Sequence, residues 1–355
     1  MDKRILFTGG GSAGHVTVNL ALIPHFQNLD WDVSYIGSRS GIEADLIGKL
    51  SDVQYEGIST GKLRRYLRAE NLKDPFRVVK GVLEAYRFIK RWKPDIVFSK
   101  GGFVSVPVVL AARMNRIPVI IHESDITPGL ANRIAIPSAS KVCVTFQEAM
   151  QHIPSGKAVH VGSIIRQDLL EGDPVQGRKF CGFTSRRPVL VCIGGSLGSA
   201  KINQALRSCL PELSSKFQIV HICGKGQLID GYDIEGYRQY EYIHEELADV
   251  LAAADMVISR AGSNSIFEFL TLRKPMLLIP LSKAASRGDQ ILNAESFERA
   301  GYAQVLTEEE LGRDTLLRAI TQLSEEKSHV IERMKAHYND RAITEVVELI
   351  CEHAR

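Results

Sequence analysis

One local pattern is repeated along the chain at an offset of 184 residues. Gly10, Gly11, Ser12, Gly14, Asn19, Ala21 and Leu22 recur as Gly194, Gly195, Ser196, Gly198, Asn203, Ala205 and Leu206. Each copy follows a short apolar run and opens a helical pattern. A glycine-rich strand-to-helix turn used twice fits two Rossmann-type domains in tandem. The remaining chain keeps the same rhythm. Strand-like runs at 4–8, 32–36, 96–99, 119–122 and 141–145, then at 189–193, 218–222, 256–259 and 276–279, alternate with longer helical stretches. Buried Val, Ile and Leu runs separated by helices imply parallel sheets covered on both faces. The expected class is α/β, with two Rossmann-like domains facing across a cleft. The expected domains are 1–163 and 164–340, with a C-terminal helix at 341–355 that crosses back to the first.

Composition narrows the class further. The 355 residues are 45% hydrophobic with a net charge of only +3, which excludes disorder as the main state. No apolar run approaches the ~20 residues of a spanning helix. The N-terminal MDKRILFTGGG enters a strand-like run at once, without an apolar leader, so a cytoplasmic location is expected. The six cysteines are widely spaced and form no C-x-x-C pair, so neither disulfides nor zinc are expected. Charge is unevenly spread: residues 1–163 hold 21 Lys and Arg against 14 Asp and Glu, whereas the remainder is acidic. Between Lys62 and Lys93 stand eleven basic and three acidic residues, interleaved with Leu63, Tyr66, Leu67, Phe76, Val79, Phe88, Ile89 and Trp92. A solvated basic helix is the plain reading. The apolar admixture points to an anionic membrane surface, and an acidic second half argues against nucleic acid.

Several loops carry polar chemistry. In Thr8–His15 the glycines let backbone approach a ligand, and the amides opening the next helix offer an anion site, although a tight turn would look the same. The spacing is not the dinucleotide fingerprint, and no acidic residue ends the second strand. His15 stands at a helix start, where the dipole disfavours imidazolium and leaves a neutral ring able to accept a proton; a packing histidine is the alternative. Gly194–Gly198 can cradle a phosphate with its amides and the Ser196 hydroxyl. The turn Ser259-Arg260-Ala261-Gly262-Ser263-Asn264-Ser265 follows another strand, with Glu268 in the early turns of its helix, where a carboxylate suits the two hydroxyls of a ribose. Ser286-Arg287-Gly288-Asp289-Gln290 suits sugar hydroxyls, and Arg166 could neutralise a diphosphate.

These segments, with GIEADL, SKGGFVSVP, IPVIIHES, PGLANRIA, GGSLGSAKIN, CGKG, SRAGSNSIFEFL and PLSKAASRGDQILNA, run nearly end to end. Together they make the chain resemble the MurG family, bacterial enzymes that add N-acetylglucosamine to lipid I in peptidoglycan synthesis, and its Gram-positive branch in particular. The resemblance implies the GT-B glycosyltransferase fold, with UDP-N-acetylglucosamine held mainly by the C-terminal domain. It places Ser196 and Arg166 at the donor diphosphate, Ser263, Asn264 and Ser265 at the nucleotide, Glu268 at the ribose and Gln290 at the sugar. Ser12, Ala13 and Gly14 match the loop facing the reacting sugar, and Gly11 and Asn132 match acceptor positions. His15 and Glu123 match catalytic positions, with His15 the expected base for inverting transfer to the 4-hydroxyl of the muramoyl sugar. Arg166, loop amides and helix N-termini would take up the leaving charge in place of a metal, so no metal and no cofactor are expected.

The implied partners are UDP-N-acetylglucosamine, lipid I, the inner face of the membrane through Lys62–Lys93, and a cell-wall synthesis complex; nucleic acid is not among them. Three positions depart from the family pattern. Val18 stands where the family carries Pro, Gly162-Ser163-Ile164-Ile165-Arg166 lacks the usual Pro, and Ser124-Asp125 replaces Gln-Asn. The lost prolines are expected to loosen a turn or hinge. Rival readings are a transferase with another lipid acceptor, a UDP-sugar epimerase, and a weakly active nucleotide-sugar-binding paralogue.

Overall fold

A computed structural model describes residues 3–12, 14–61, 74–184, 186–195, 198–284, 286–336 and 341–355. The chain divides into two compact units, Met1–Arg166 with Asn339–Arg355, and Gln167–Tyr338. The division falls after Arg166, three residues beyond the boundary expected from sequence.

The first unit is built on a seven-stranded sheet of β1 (Arg4–Thr8), β2 (Asp32–Ser38), β3 (Gln54–Ile58), β4 (Ile96–Ser99), β5 (Val119–Glu123), β6 (Lys141–Val144) and β7 (Ala158–His160). Their order is β3-β2-β1-β4-β5-β6-β7, and every neighbouring pair is parallel. The second unit repeats the plan with β8 (Val189–Ile193), β9 (Gln218–Ile222), β10 (Tyr237–Tyr240), β11 (Met256–Ser259), β12 (Met276–Leu278) and β13 (Ala303–Val305). These lie in the order β10-β9-β8-β11-β12-β13, again all parallel. In both sheets the order reverses beside the first strand, between β1 and β4 and between β8 and β11. At such a switch point neighbouring crossovers diverge and leave a crevice beyond the carboxyl ends, where α/β sheets bind ligands.

The nine strands expected from sequence are present, within two residues at their ends. The four that sequence does not announce are β3, β7, β10 and β13, the two edges of each sheet. Central strands such as β4 (IVFS) are buried along their whole length. Edge strands such as β3 (QYEGI) and β10 (YRQY) are only part-buried, so they carry no continuous apolar run.

Helices cover the sheets through apolar stripes. Helix Gly14–Gln27 buries Val16, Val18, Leu22, Ile23 and Phe26. The C-terminal helix Ala342–His353 adds Ala342, Val346 and Ile350 to the same core, a four-residue spacing that puts one face inward. Val18 and Ile164, the two residues standing in place of prolines, are both buried in that core. They fill apolar space there. Of the basic stretch, residues 62–73 lie outside the described residues. Its remainder forms helix Asp74–Trp92, which buries Ala85, Phe88 and Ile89 and exposes Phe76, Val79 and Leu83. Among the described residues no helix is long and apolar enough to cross a membrane.

Candidate functional site

In the first unit, β1 delivers the glycine loop and then helix Gly14–Gln27. The loop is fixed from below by buried polar side chains. The Tyr35 hydroxyl, on β2, donates to Gly9 O at 2.7 Å. Asn19 Nδ2 donates to Thr8 O at 3.2 Å and to the Tyr35 hydroxyl at 3.1 Å. Glu43, on helix Ile42–Ile47 and wholly buried, accepts from Gly11 N–H at 3.2 Å. Ser12 is exposed and its carbonyl accepts from His15 N–H at 3.1 Å, so the histidine sits in the first turn of the helix with its ring half-buried.

The loop after β4, Lys100-Gly101-Gly102-Phe103, closes against the first. Gly102 has φ +81, and a Cβ there would overlap Gly10 O and lie 3.1 Å from His15 Cδ2. A Cβ on Gly11, φ +87, would run into the Phe103 ring, and one on Gly101 would lie 2.8 Å from Asn132 Oδ1. Only residues without side chains allow this approach in these conformations. The structure thus gathers Gly11, Ser12, Gly14, His15 and Asn132 around the carboxyl ends of β1, β4 and β5.

Glu123 ends β5 and is buried. Its carboxylate accepts from Asp125 N–H at 3.0 Å, Gly129 N–H at 3.0 Å and Asn132 Nδ2 at 2.9 Å. These bonds hold the turn between β5 and helix Leu130–Ala135. Buried Lys100 donates from Nζ to Ser124 Oγ. Burial, and then the Asp125 charge, raise the Glu123 carboxyl above its ordinary value, and burial lowers the Lys100 amine. Burial, with Lys100 beside it, keeps the His122 imidazole well below the usual histidine range. Lys100, Glu43 and Phe103 support these loops in ways that their residue types alone do not announce. Lys100 and Phe103 flank the quoted Gly-Gly motif, but nothing local in Glu43's helical context announces a loop support.

The second unit arranges its loops around a single guanidinium. Arg260, immediately after β11, donates from Nη2 to Ser199 Oγ at 2.7 Å and to Glu308 Oε1 at 2.5 Å. Its Nη1 donates to Ile279 O at 3.0 Å and Pro280 O at 3.3 Å. Ser199 caps helix Ala200–Ser208 after β8, the two carbonyls follow β12, and Glu308 follows β13. One buried side chain therefore ties four strand ends. Lys201 Nζ reaches the other Glu308 oxygen at 3.2 Å. Burial alone would raise the Glu308 carboxyl, but the hydrogen bonds from Arg260 and Lys201 hold it below its ordinary value. Under the β8 loop, Asn203 Nδ2 donates to Cys223 O at 2.9 Å, and its Oδ1 lies 2.9 Å from His221 Nε2. Burial and Arg207 push that imidazole down to about 3, so His221 stays neutral.

Ser263 begins helix Ser263–Thr271 and is buried, while Asn264, Ser265 and Glu268 are half-buried beside each other on one face. Gln290 lies in the first turn of helix Asp289–Arg299, where its Oε1 accepts from Leu281 N–H at 3.1 Å. Ser263, Asn264, Ser265 and Glu268 thus lie in the first two turns of the helix that follows β11, and Gln290 in the first turn of the helix that follows β12. Ser196 and Ala13 lie outside the described residues. Arg166 is half-buried and closes the first unit. Among the described residues no group of three or more His, Cys, Asp or Glu side chains comes together as a metal site.

Comparison with known proteins gives a consistent outcome. The model of the glycosyltransferase family 28 N-terminal domain matches residues 5–144, and that of the family 28 C-terminal domain matches residues 189–350. The chain is 57% identical to a UDP-N-acetylglucosamine--N-acetylmuramyl-(pentapeptide) pyrophosphoryl-undecaprenol N-acetylglucosamine transferase of Geobacillus thermodenitrificans, covering 100% of both chains. It is 56% identical to a transferase of the same name, numbered 2, of Bacillus cereus, covering 99% of each. Among solved structures, the crystal structure of Acinetobacter baumannii MurG matches with a TM-score of 0.76 at 25% identity, over 99% of each chain. The glycosyltransferase of kitacinnamycin matches with a TM-score of 0.74 at 16% identity, a likeness of fold.

Proposed function

The chain belongs to glycosyltransferase family 28, and on that premise we propose that it transfers N-acetylglucosamine from UDP-N-acetylglucosamine to lipid I with inversion at the anomeric carbon. The observation that carries this reading is identity of 57% over the full length of a transferase so named. The twin loop-bearing sheets supply a place for each substrate. The second unit binds the donor: Ser263, Asn264 and Ser265 meet the nucleotide, Glu268 the ribose hydroxyls, Gln290 the sugar and Ser196 the diphosphate; Arg166, the last residue of the first unit, is a further ligand of the diphosphate. The first unit binds the acceptor through Gly11 and Asn132, with Ser12, Ala13 and Gly14 facing the reacting sugar.

In the reaction the muramoyl 4-hydroxyl attacks the anomeric carbon and the bond to UDP breaks. His15 removes the hydroxyl proton, a task that typically contributes about 10²- to 10⁴-fold. Negative charge growing on the departing diphosphate is met by Arg166 and by loop amides at helix starts. The three hydrogen bonds into Glu123 favour a positioning role for that carboxylate over proton transfer, since both its oxygens are already engaged.

The test is UDP release from UDP-N-acetylglucosamine with and without a lipid I analogue. We expect release only with the analogue, together with a disaccharide-lipid product, and a His15→Ala variant that keeps donor affinity while kcat falls at least 100-fold. Sugar isomerisation without acceptor would establish an epimerase. Turnover with a diacylglycerol but not with lipid I would establish another acceptor. Near-normal turnover by the His15 variant would remove the base assignment.

We further propose that helix Asp74–Trp92 docks the protein on the inner face of an anionic membrane, where lipid I is met, and that a cell-wall synthesis complex assembles there. Exposed Phe76, Val79 and Leu83 fall at helical spacing on one face, and Arg77, Lys80, Arg87, Lys90 and Arg91 are exposed along the same helix. Each basic residue at such a surface contributes about 1 kcal/mol, and an inserted Phe roughly 1.5–3 kcal/mol. Sedimentation with phosphatidylglycerol vesicles should therefore weaken about tenfold or more in Phe76→Ser/Val79→Ser. Equal binding by this variant and the wild type would exclude the helix as the contact.

A further inference from the structure

We propose that Glu43 is a positioning residue of the transfer reaction, acting through the Gly11 amide to set the glycine loop that leads into His15. The inference rests on the transferase reading above, but its observations are independent of that reading. Glu43 is wholly buried, and its side chain turns inward from helix Ile42–Ile47 under the loop. Oε2 accepts from Gly11 N–H at 3.2 Å, and Oε1 accepts from Ser38 N–H at 2.9 Å and from Ser38 Oγ. Ser38 is fixed in turn by the Tyr55 hydroxyl, which donates to its carbonyl at 2.5 Å.

The surrounding backbone is shaped to this carboxylate. A Cβ on Gly10 would lie 2.5 Å from Glu43 Cδ, and a Cβ on Gly37 would lie 2.8 Å from its Cγ. A Cβ on Gly41 would also collide with the carboxylate oxygens. Glycines from the first loop, the end of β2 and the start of the next helix thus leave room for one carboxylate. Its bond to Gly11 has a definite consequence. With that N–H held inward, the loop keeps Gly11 at its positive φ of +87. A buried carboxylate accepting two backbone N–H groups and a hydroxyl is well satisfied, so this bond holds the loop firmly.

The test is Glu43→Gln in the full chain. The amide keeps the volume but replaces one acceptor oxygen with a donor, which must face either the Gly11 or the Ser38 N–H. Well below the unfolding temperature, we expect kcat with the lipid I analogue to fall about 10- to 100-fold, as a misplaced loop would cause. UDP affinity should be unchanged, and the Gly11 amide should exchange with solvent faster than in the wild type. Ser38→Ala removes one bond to Glu43 and leaves the Gly11 link, so its kcat should stay near wild type. A lowered Tm in Glu43→Gln with unchanged kcat would overturn the proposal by reducing Glu43 to a structural role. A fall in kcat in Ser38→Ala equal to that in Glu43→Gln would overturn it as well. If Glu43→Gln does not fold, Gly11 exchange in the wild type decides: protection above that of Ser12 supports the link, and equal exchange overturns it. The exchange measurement needs no turnover, so its outcome stands apart from failure of the transferase reading.

Discussion

Arg260→Met is expected to lower the stability of the second unit by about 3 kcal/mol, the lower end of the ~3–5 kcal/mol cost of breaking a buried ion pair. The loss arises because Glu308 is left buried beside an apolar side chain, with only the more exposed Lys201 reaching its other oxygen. The same change releases Ser199, Ile279 O and Pro280 O, so three loops lose their shared anchor. UDP affinity should therefore fall along with the urea midpoint. In Arg260→Met/Glu308→Leu the stranded charge is gone, and stability should largely recover while UDP affinity does not. That separation distinguishes the loop-tying role from simple stabilisation. A single variant whose midpoint matches the wild type would dismiss the buried pair as an anchor. The pH dependence has a fixed direction. Glu308 is held below its ordinary value in the folded protein, so its contribution is full above the normal carboxylate range. It is lost as pH falls through the lowered folded value, and Glu308→Gln should flatten this acid limb.

Gly102→Ala is expected to act on the first unit with comparable force. A side chain in the left-handed region costs roughly 1–2 kcal/mol, and forced overpacking adds typically 1–3 kcal/mol. Here the added methyl would meet Gly10 O and the His15 ring, so relief requires the two loops to part. A displacement of about 1 Å at a reacting group can cost on the order of 100-fold in rate, and kcat should fall by that order with UDP affinity retained. Gly156→Ala provides the control, because Gly156 also has a positive φ, +79, but a Cβ there meets nothing within 4 Å. It should show the backbone cost alone and no kinetic effect. Equal kinetics for the two variants would mean that close approach of the loops is unimportant.

Residue pattern alone is enough to specify the α/β class, the tandem plan and the central strands. β1, β4, β8 and β11 each carry an apolar run because both faces of a central parallel strand are buried, and that burial is written locally in residue type. The glycine loops were legible for a similar reason, since close backbone approach restricts a position to the one residue without a side chain. The repeated Asn19 and Asn203 were visible as a pattern, and the structure gives both the work of holding the backbone beneath a loop.

The sheet edges depend on the pairing of segments distant along the chain. Gln54–Ile58 and Tyr237–Tyr240 are strands because a neighbour offers a ladder of hydrogen bonds, and a half-buried edge needs no apolar signature. The supports of the loops were likewise decided by the fold. Glu43 is 32 residues from Gly11, and Glu308 is 48 residues from Arg260. A charged residue in a helix or loop reads as solvated until folding encloses it. Burial then makes its hydrogen bonds obligatory, because an unpaired carboxylate or guanidinium in the interior costs several kcal/mol. Residue types fixed which segments could meet a ligand; the packing of distant segments fixed which side chains hold those segments in place.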